Sequence, residues 1–122
     1  LEVRDLVAGY GLTRVLEGVS LEVGAGEIVA VLGSNGVGKT TLNMAVSGLV
    51  RPRAGEIRFD GRSITNLSST AITAAGLIQV PEGRKIFPNL SVRENLELGS
   101  YRRGRPNRAR NLERVFATFP RL

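Results

Sequence analysis

Apolar positions recur at two-residue spacing early in the chain and at three- and four-residue spacing later. Leu1 to Leu6 alternates loosely and predicts a strand. Leu16, Val19, Leu21 and Val23, set among polar residues, predict a second strand over 16–23. Gly24-Ala25-Gly26 marks a turn. The uninterrupted run Ile28-Val29-Ala30-Val31-Leu32 then predicts a buried strand. A helix is expected from Lys39 through Val46. The stretch from Gly48 to Gly55 contains Pro52 and reads as loop. Glu56 to Phe59 is a short strand, and Asp60-Gly61 after it is a tight hairpin turn.

The second half is more helical. Ser68 or Ser69 caps a short helix through Ile72 to Ala75, which Gly76 ends. Leu77-Ile78-Gln79-Val80 predicts a short apolar strand stopped by Pro81, followed by a charged loop over 82–85. Ser91 and Glu94 form the signature of a capping box, opening a helix to about Leu98. Gly99 and Gly104 mark breaks. Leu112, Val115, Phe116 and Phe119 then fall on one helical face before Pro120, as core or as an interface. Mixed strands and helices make this an α/β chain, with no internal repeat and no low-complexity segment.

Composition narrows the chemistry. The 122 residues suffice for one small domain with a core. Apolar content of 42% and charged content of 23% suit a water-soluble chain. No apolar run approaches the roughly 20 residues of a membrane span, and no export-signal pattern opens the sequence. There is no cysteine, which excludes disulfides and thiolate metal sites, and no histidine, which removes the commonest general base. The net charge of +6 comes from residues 101–122, where seven arginines face one acid, Glu113. Such a tail suits nucleic acid or an anionic membrane. No aromatic platform is interleaved with the arginines, so a solvated helix face is the preferred reading.

The residues with the most specific chemistry are Gly33-Ser34-Asn35-Gly36-Val37-Gly38-Lys39-Thr40, which fit G-x-x-x-x-G-K-[ST]. Expected strand, glycine loop and expected helix follow in the order this phosphate-binding motif requires. The glycines admit backbone conformations that a side chain would block. Successive N–H groups can then turn inward as an anion nest, with the positive end of the following helix behind them. Lys39 adds a point charge for β- and γ-phosphates, and the Thr40 hydroxyl suits one position on Mg²⁺. The competing reading is an ordinary glycine-rich turn; agreement between the motif and its flanks favours the phosphate loop.

Several segments line up in one order: Leu6 to Gly11, Gly33 to Thr41, Gly55 to Gly61, and the long run from Val80 to Leu96, Val-Pro-Glu-Gly-Arg-Lys-Ile-Phe-Pro-Asn-Leu-Ser-Val-Arg-Glu-Asn-Leu. Together they resemble the ATP-binding subunit of an ABC transporter. The long run is similar to branched-chain amino-acid uptake subunits of the LivF type. The resemblance implies an α/β fold of the P-loop type, the ABC nucleotide-binding domain. Residues 1–65 would form the antiparallel β portion and the phosphate-binding core, and 66–122 the Q-loop region with part of a helical subdomain. It implies ATP and Mg²⁺ as ligands. Gly33, Ser34, Asn35, Gly36, Val37, Gly38, Lys39, Thr40 and Thr41 would hold the phosphates. Tyr10 would stack on adenine, an interaction worth on the order of 1–3 kcal/mol in comparable cases; a strand-end Tyr packed on the surface is the alternative. Val15 would lie near the ribose or base. Counting back from Leu90-Ser91-Val92 places Glu82 at the Q-loop position, where a carboxylate keeps a hard oxygen for Mg²⁺. Gln79 is the runner-up.

The resemblance also sets expectations about what the chain lacks. An LSGGQ-type motif, an apolar strand ending in Asp-Glu, and a switch histidine do not occur in it; the aspartates are Asp5 and Asp60. No catalytic residue is therefore assigned, and the chain reads as a truncated, N-terminal portion of such a subunit with weak or no turnover of its own. The implied partners are a second ATP-binding subunit, transmembrane permease subunits and a periplasmic or extracellular solute-binding protein, at the cytoplasmic face of the membrane. Nucleic acid is not expected as a partner. Three alternatives stay open: a non-hydrolytic permease-docking module acting through Leu77 to Leu98, a subunit of a related amide or urea importer, and a small nucleic-acid-dependent NTPase using the arginine tail.

Overall fold

β1 (Glu2–Tyr10) turns directly into β2 (Thr13–Glu22) through Gly11 and Leu12. Gly11, at φ 52°, occupies the first central position, which suits the type II′ turn of a right-twisted hairpin. The structure is a computed structural model and describes residues 1–83, 85–101 and 104–122. They divide into two units, Leu1–Gln79 and Val80–Leu122.

The first unit is built on a four-stranded antiparallel sheet. β3 (Ala54–Phe59) pairs with the other edge of β1, and β4 (Arg62–Ser63) pairs with β3, giving the order β2-β1-β3-β4. Asp60 and Gly61 both take positive φ, 50° and 72°, as the type I′ hairpin turn between β3 and β4 requires.

The loose alternation of the opening residues has a structural cause. Asp5 adopts φ 46° and interrupts the register between Val3 and Leu6. This bulge resets the two-residue period, so Val3, Leu6 and Ala8 are all buried although the first two are three positions apart. The freed Asp5 N–H donates to Ser20 Oγ at 2.8 Å. Opposite the bulge stands Gly55, where a Cβ would lie 2.5 Å from the carbonyl oxygens of both Arg4 and Asp5. Only glycine allows β3 to approach there.

α1 (Lys39–Val46) lays Leu42, Ala45 and Val46 into the core with Leu6, Leu16 and Ile57. α2 (Ser69–Ala75) adds Ile72. Its caps follow the sequence: Ser68 Oγ accepts from the Ala71 N–H, and Gly76 closes the helix in the left-handed conformation at φ 110°.

Two expected strands do not form. Residues 28–32 run between the Gly24–Gly26 turn and the glycine loop without joining a ladder, and Ile28 and Leu32 are 96% and 89% exposed. Residues 77–80 are likewise outside any strand, with Val80 91% exposed; Gln79, expected inside a strand, lies in irregular chain. A strand exists only with a neighbour to exchange N–H···O=C bonds. Among the described residues neither segment has one; the 28–32 run stays exposed, and of the second run Leu77 packs against the core while Ile78 and Val80 are exposed.

In the second unit, α3 (Val92–Gly99) opens with the complete capping box. Ser91 Oγ accepts from the Glu94 N–H, and the Ser91 N–H donates to Glu94 Oε2 at 2.8 Å. A 3-10 turn (Arg105–Asn107) leads into α4 (Arg108–Thr118). Leu112 is buried and Val115 and Phe116 are half-buried, as the helical face predicts. Phe119 departs from it: it ends α4 at φ −124°, ψ 77°, and is exposed. Arg108 joins the two helices. Its Nε donates to Ser100 Oγ at 2.7 Å, and its guanidinium lies 4.0 Å from the Glu97 carboxylate.

Candidate functional site

The glycine loop leads straight into α1. Gly36 takes φ 85° and Gly38 φ 105°, left-handed conformations that bend the chain back on itself. The helix begins with the Leu42 N–H donating to the Gly38 carbonyl at 2.9 Å. No side chain caps its first N–H groups, and its first turn carries no acidic residue. Among the described residues, the positive end of α1 is therefore left without a side-chain acceptor.

Lys39 curls over the loop. Its Nζ donates to the Gly33 carbonyl at 2.6 Å and to the Ser34 carbonyl at 2.7 Å. These charge-assisted bonds hold the ammonium against the loop backbone. Ser34, Asn35, Gly36 and Val37 are exposed, so the loop is open to solvent. Thr40 is exposed at the start of the helix, whereas Thr41 is buried. Positive-φ glycines, a helix start without a side-chain cap and a cation held on two loop carbonyls are the features on which an anion site can be proposed.

The structure draws Tyr10 and Val15 toward α1. Half-buried Val15 lies against the loop, its Cγ1 3.3 Å from where a Gly38 Cβ would be. The Tyr10 hydroxyl donates to Met44 Sδ on α1 at 3.3 Å, and the residue is 49% exposed. Arg53 supports the adjoining turn: its guanidinium donates to the Gly11 carbonyl, and its backbone N–H donates to the Val7 carbonyl at 2.7 Å. Gln79 closes the first unit, and Glu82 lies exposed at a turn in the second. Among the described residues, no three of histidine, cysteine, aspartate and glutamate gather as a metal cluster, and no helix is long and apolar enough to cross a membrane.

Two residues were missed from sequence. Met44 gave no signal beyond its place in a helix. Asn95 stood in the long motif without a role; its Oδ1 accepts from the Phe87 N–H at 2.9 Å. Its Nδ2 donates to the carbonyls of Phe87, Leu90 and Ser91 at 2.9 to 3.1 Å. That one side chain fastens the 87–91 segment to α3. Beside it, hydrogen bonds from the Ser91 hydroxyl and N–H hold the Glu94 carboxyl below its usual range.

The model of the family described as ABC transporter matches residues 16–121. The chain belongs to the ABC transporter family. It is 39% identical over 113 residues to the high-affinity branched-chain amino acid transport ATP-binding protein BraG of Pseudomonas aeruginosa, a match covering 93% of this chain and 48% of BraG. It is 42% identical over 97 residues to the ribose import ATP-binding protein RbsA of Chromobacterium violaceum, covering 80% and 19%. It is 35% identical over 98 residues to the xylose/arabinose import ATP-binding protein XylG of Sulfolobus acidocaldarius, covering 80% and 39%. Among solved structures, the ATP-binding cassette MJ0796, a dimer bound to ADP and Pi, superposes with a TM-score of 0.72 at 26% identity, covering 92% of this chain and 54% of that one. The ABC ATPase fold is thus established, and the chain spans about half the length of BraG.

Proposed function

We propose that this ABC transporter chain holds the triphosphate of ATP as part of the ATP-binding subunit of an importer. The observation that carries the reading is Lys39, whose ammonium bridges the Gly33 and Ser34 carbonyls at the uncapped start of α1. Gly33 to Thr41 would receive the phosphates, Tyr10 would stack on adenine, and Val15 would lie beside the ribose. The exposed Thr40 hydroxyl fits Mg²⁺, which accepts few protein oxygens and keeps several waters. Glu82 is proposed as a second oxygen ligand, with Gln79 as the alternative. The metal would neutralise charge on the phosphates; the chain's own part is to bind, orient and shield them.

Titration of a fluorescent ATP analogue with Mg²⁺ tests this. Binding is expected for the chain and should fall at least about tenfold in Lys39→Ala, in line with loss of a charge-assisted contact. Binding unaffected by that change, or none in either protein, overturns the proposal. Turnover by the chain alone is expected to be poor, since it offers no histidine and its aspartates are Asp5 and Asp60, in the sheet bulge and a hairpin turn.

For the solute we favour branched-chain amino acids. The match to BraG extends over 93% of the chain, against 80% for the ribose and xylose/arabinose import proteins. Uptake of leucine versus ribose, driven by a chimaera carrying residues 1–122 in a BraG-type subunit, discriminates. The proposed partners are a second ATP-binding subunit, permease subunits and a solute-binding protein, with the chain at the cytoplasmic membrane face. A groove of about 420 Å³ in the second unit, lined by Leu90, Leu98 and Tyr101 together with Glu94, Glu97 and Arg108, is the surface proposed for the permease.

A further inference from the structure

The end of β1 and the helix of the phosphate loop are tied by one side-chain contact, Tyr10 to Met44, 34 residues apart in sequence. Tyr10 is the last residue of β1, beside the Gly11-Leu12 turn, with about half of its surface open. A phenol at a strand end is free to swing about its side-chain torsions unless something holds it. Among the described residues, the partner of its hydroxyl is Met44 Sδ at 3.3 Å. Met44 is half-buried on α1, the helix that begins with Lys39 and Thr40, and it packs against the core through its stem. Thioether sulfur accepts weakly, but it is polarizable and favours contact with aromatic groups.

We infer that Met44 is a positioning residue for base recognition. By holding the Tyr10 hydroxyl, it fixes the aromatic face at a set distance from the phosphate cradle, so the base platform on β1 is tied to the helix that starts at the cradle. The inference rests on the reading of Tyr10 as the surface that stacks on adenine. It assigns Met44 no contact with phosphate. Met44→Leu keeps the volume and removes the acceptor, a swap that cores tolerate well.

Two ligands separate the roles: ATP and inorganic tripolyphosphate, each titrated with Mg²⁺ into the chain, Met44→Leu, Tyr10→Phe and the double variant. The expected result is a loss of about three- to tenfold in ATP affinity in each single variant. The double variant should lose no more, and tripolyphosphate affinity should be unchanged throughout. Equal weakening of both ligands by Met44→Leu overturns the inference, because it marks a merely structural role. Additive losses also overturn it, as does unchanged ATP affinity. If the parent chain binds both ligands equally, the adenine reading of Tyr10 itself fails, and Met44 has no base to position; binding of neither removes both. Met44 is the chain's single methionine, so its methyl group gives one NMR signal. That signal must move in Tyr10→Phe; if it stays in place, the contact is absent in solution and the inference falls even where the adenine reading stands.

Discussion

A Cβ built on Gly38 would fall 2.8 Å from Leu16 Cδ2, so strand β2 sets how closely the glycine loop can lie against the sheet. Gly38 also holds φ 105°. Gly38→Ala meets both obstacles and should lower unfolding stability by about 1–3 kcal/mol, the range for a side chain forced into this backbone region. Leu16→Ala alone should cost about 2–5 kcal/mol by leaving a cavity. Combined, the two should cost less than their sum, because the cavity accepts the new methyl. Urea midpoints of the four proteins measure this, and strict additivity would show that the two sites are not in contact.

Asn95 replaces several backbone partners for the 87–91 segment with one side chain. Asn95→Ala leaves those groups to water and should release the segment, with a cost of about 1–3 kcal/mol to the second unit. Faster hydrogen exchange at the Phe87 amide, with α1 amides unchanged, is the expected reading. Unaltered exchange at Phe87 would remove the role given to Asn95.

The capping box makes α3 sensitive to acid. Its folded-state pKa is depressed, so the Glu94 carboxylate stabilises the helix fully above the ordinary glutamate value. That stabilisation is lost as pH falls through the lowered folded value. Amide exchange in α3, followed downward from pH 6, should show fraying at the low end. Ser91→Ala, which removes the hydroxyl bond to Glu94, should fray at higher pH; an identical profile in both proteins contradicts the assignment.

Residues 28–32 form an uncharged apolar run, three of its five residues β-branched, with Ile28 and Leu32 almost fully exposed. Unpaired runs of this kind seed association between chains. The isolated chain should self-associate with rising concentration, and Leu32→Lys should reduce this severalfold, as added charge does in such segments. Sedimentation velocity at several concentrations reports it; a chain that stays monomeric throughout refutes the prediction.

What could be read in advance was what is written in short stretches of chain. Ser68 with Gly76, Ser91 with Glu94, and Asp60 with Gly61 each complete a local hydrogen-bonded or positive-φ device within a few residues, and all three formed. The helix from Lys39 to Val46 was legible for the same reason. Residues 28–32 and 77–80 were misread because strand formation depends on a distant neighbour, which hydrophobicity cannot name. The bulge at Asp5 was invisible because its cause lies across the sheet, in Ser20 and Gly55. Met44 carried no pattern, and Asn95 stood in the long motif without an assigned role; their importance is in whom they touch.

The glycine loop is moored unequally. Downstream, α1 is sunk into the core through Leu42, Ala45 and Val46; upstream, Lys39 holds the Gly33 and Ser34 carbonyls, but the chain from Ile28 to Leu32 joins no ladder among the described residues. A guest anion would therefore act as a mould for the slack upstream limb, while the helix side stays as it is. Part of the attraction between cradle and anion would go into stiffening that limb, so grip would strengthen once a neighbouring strand had already done the stiffening.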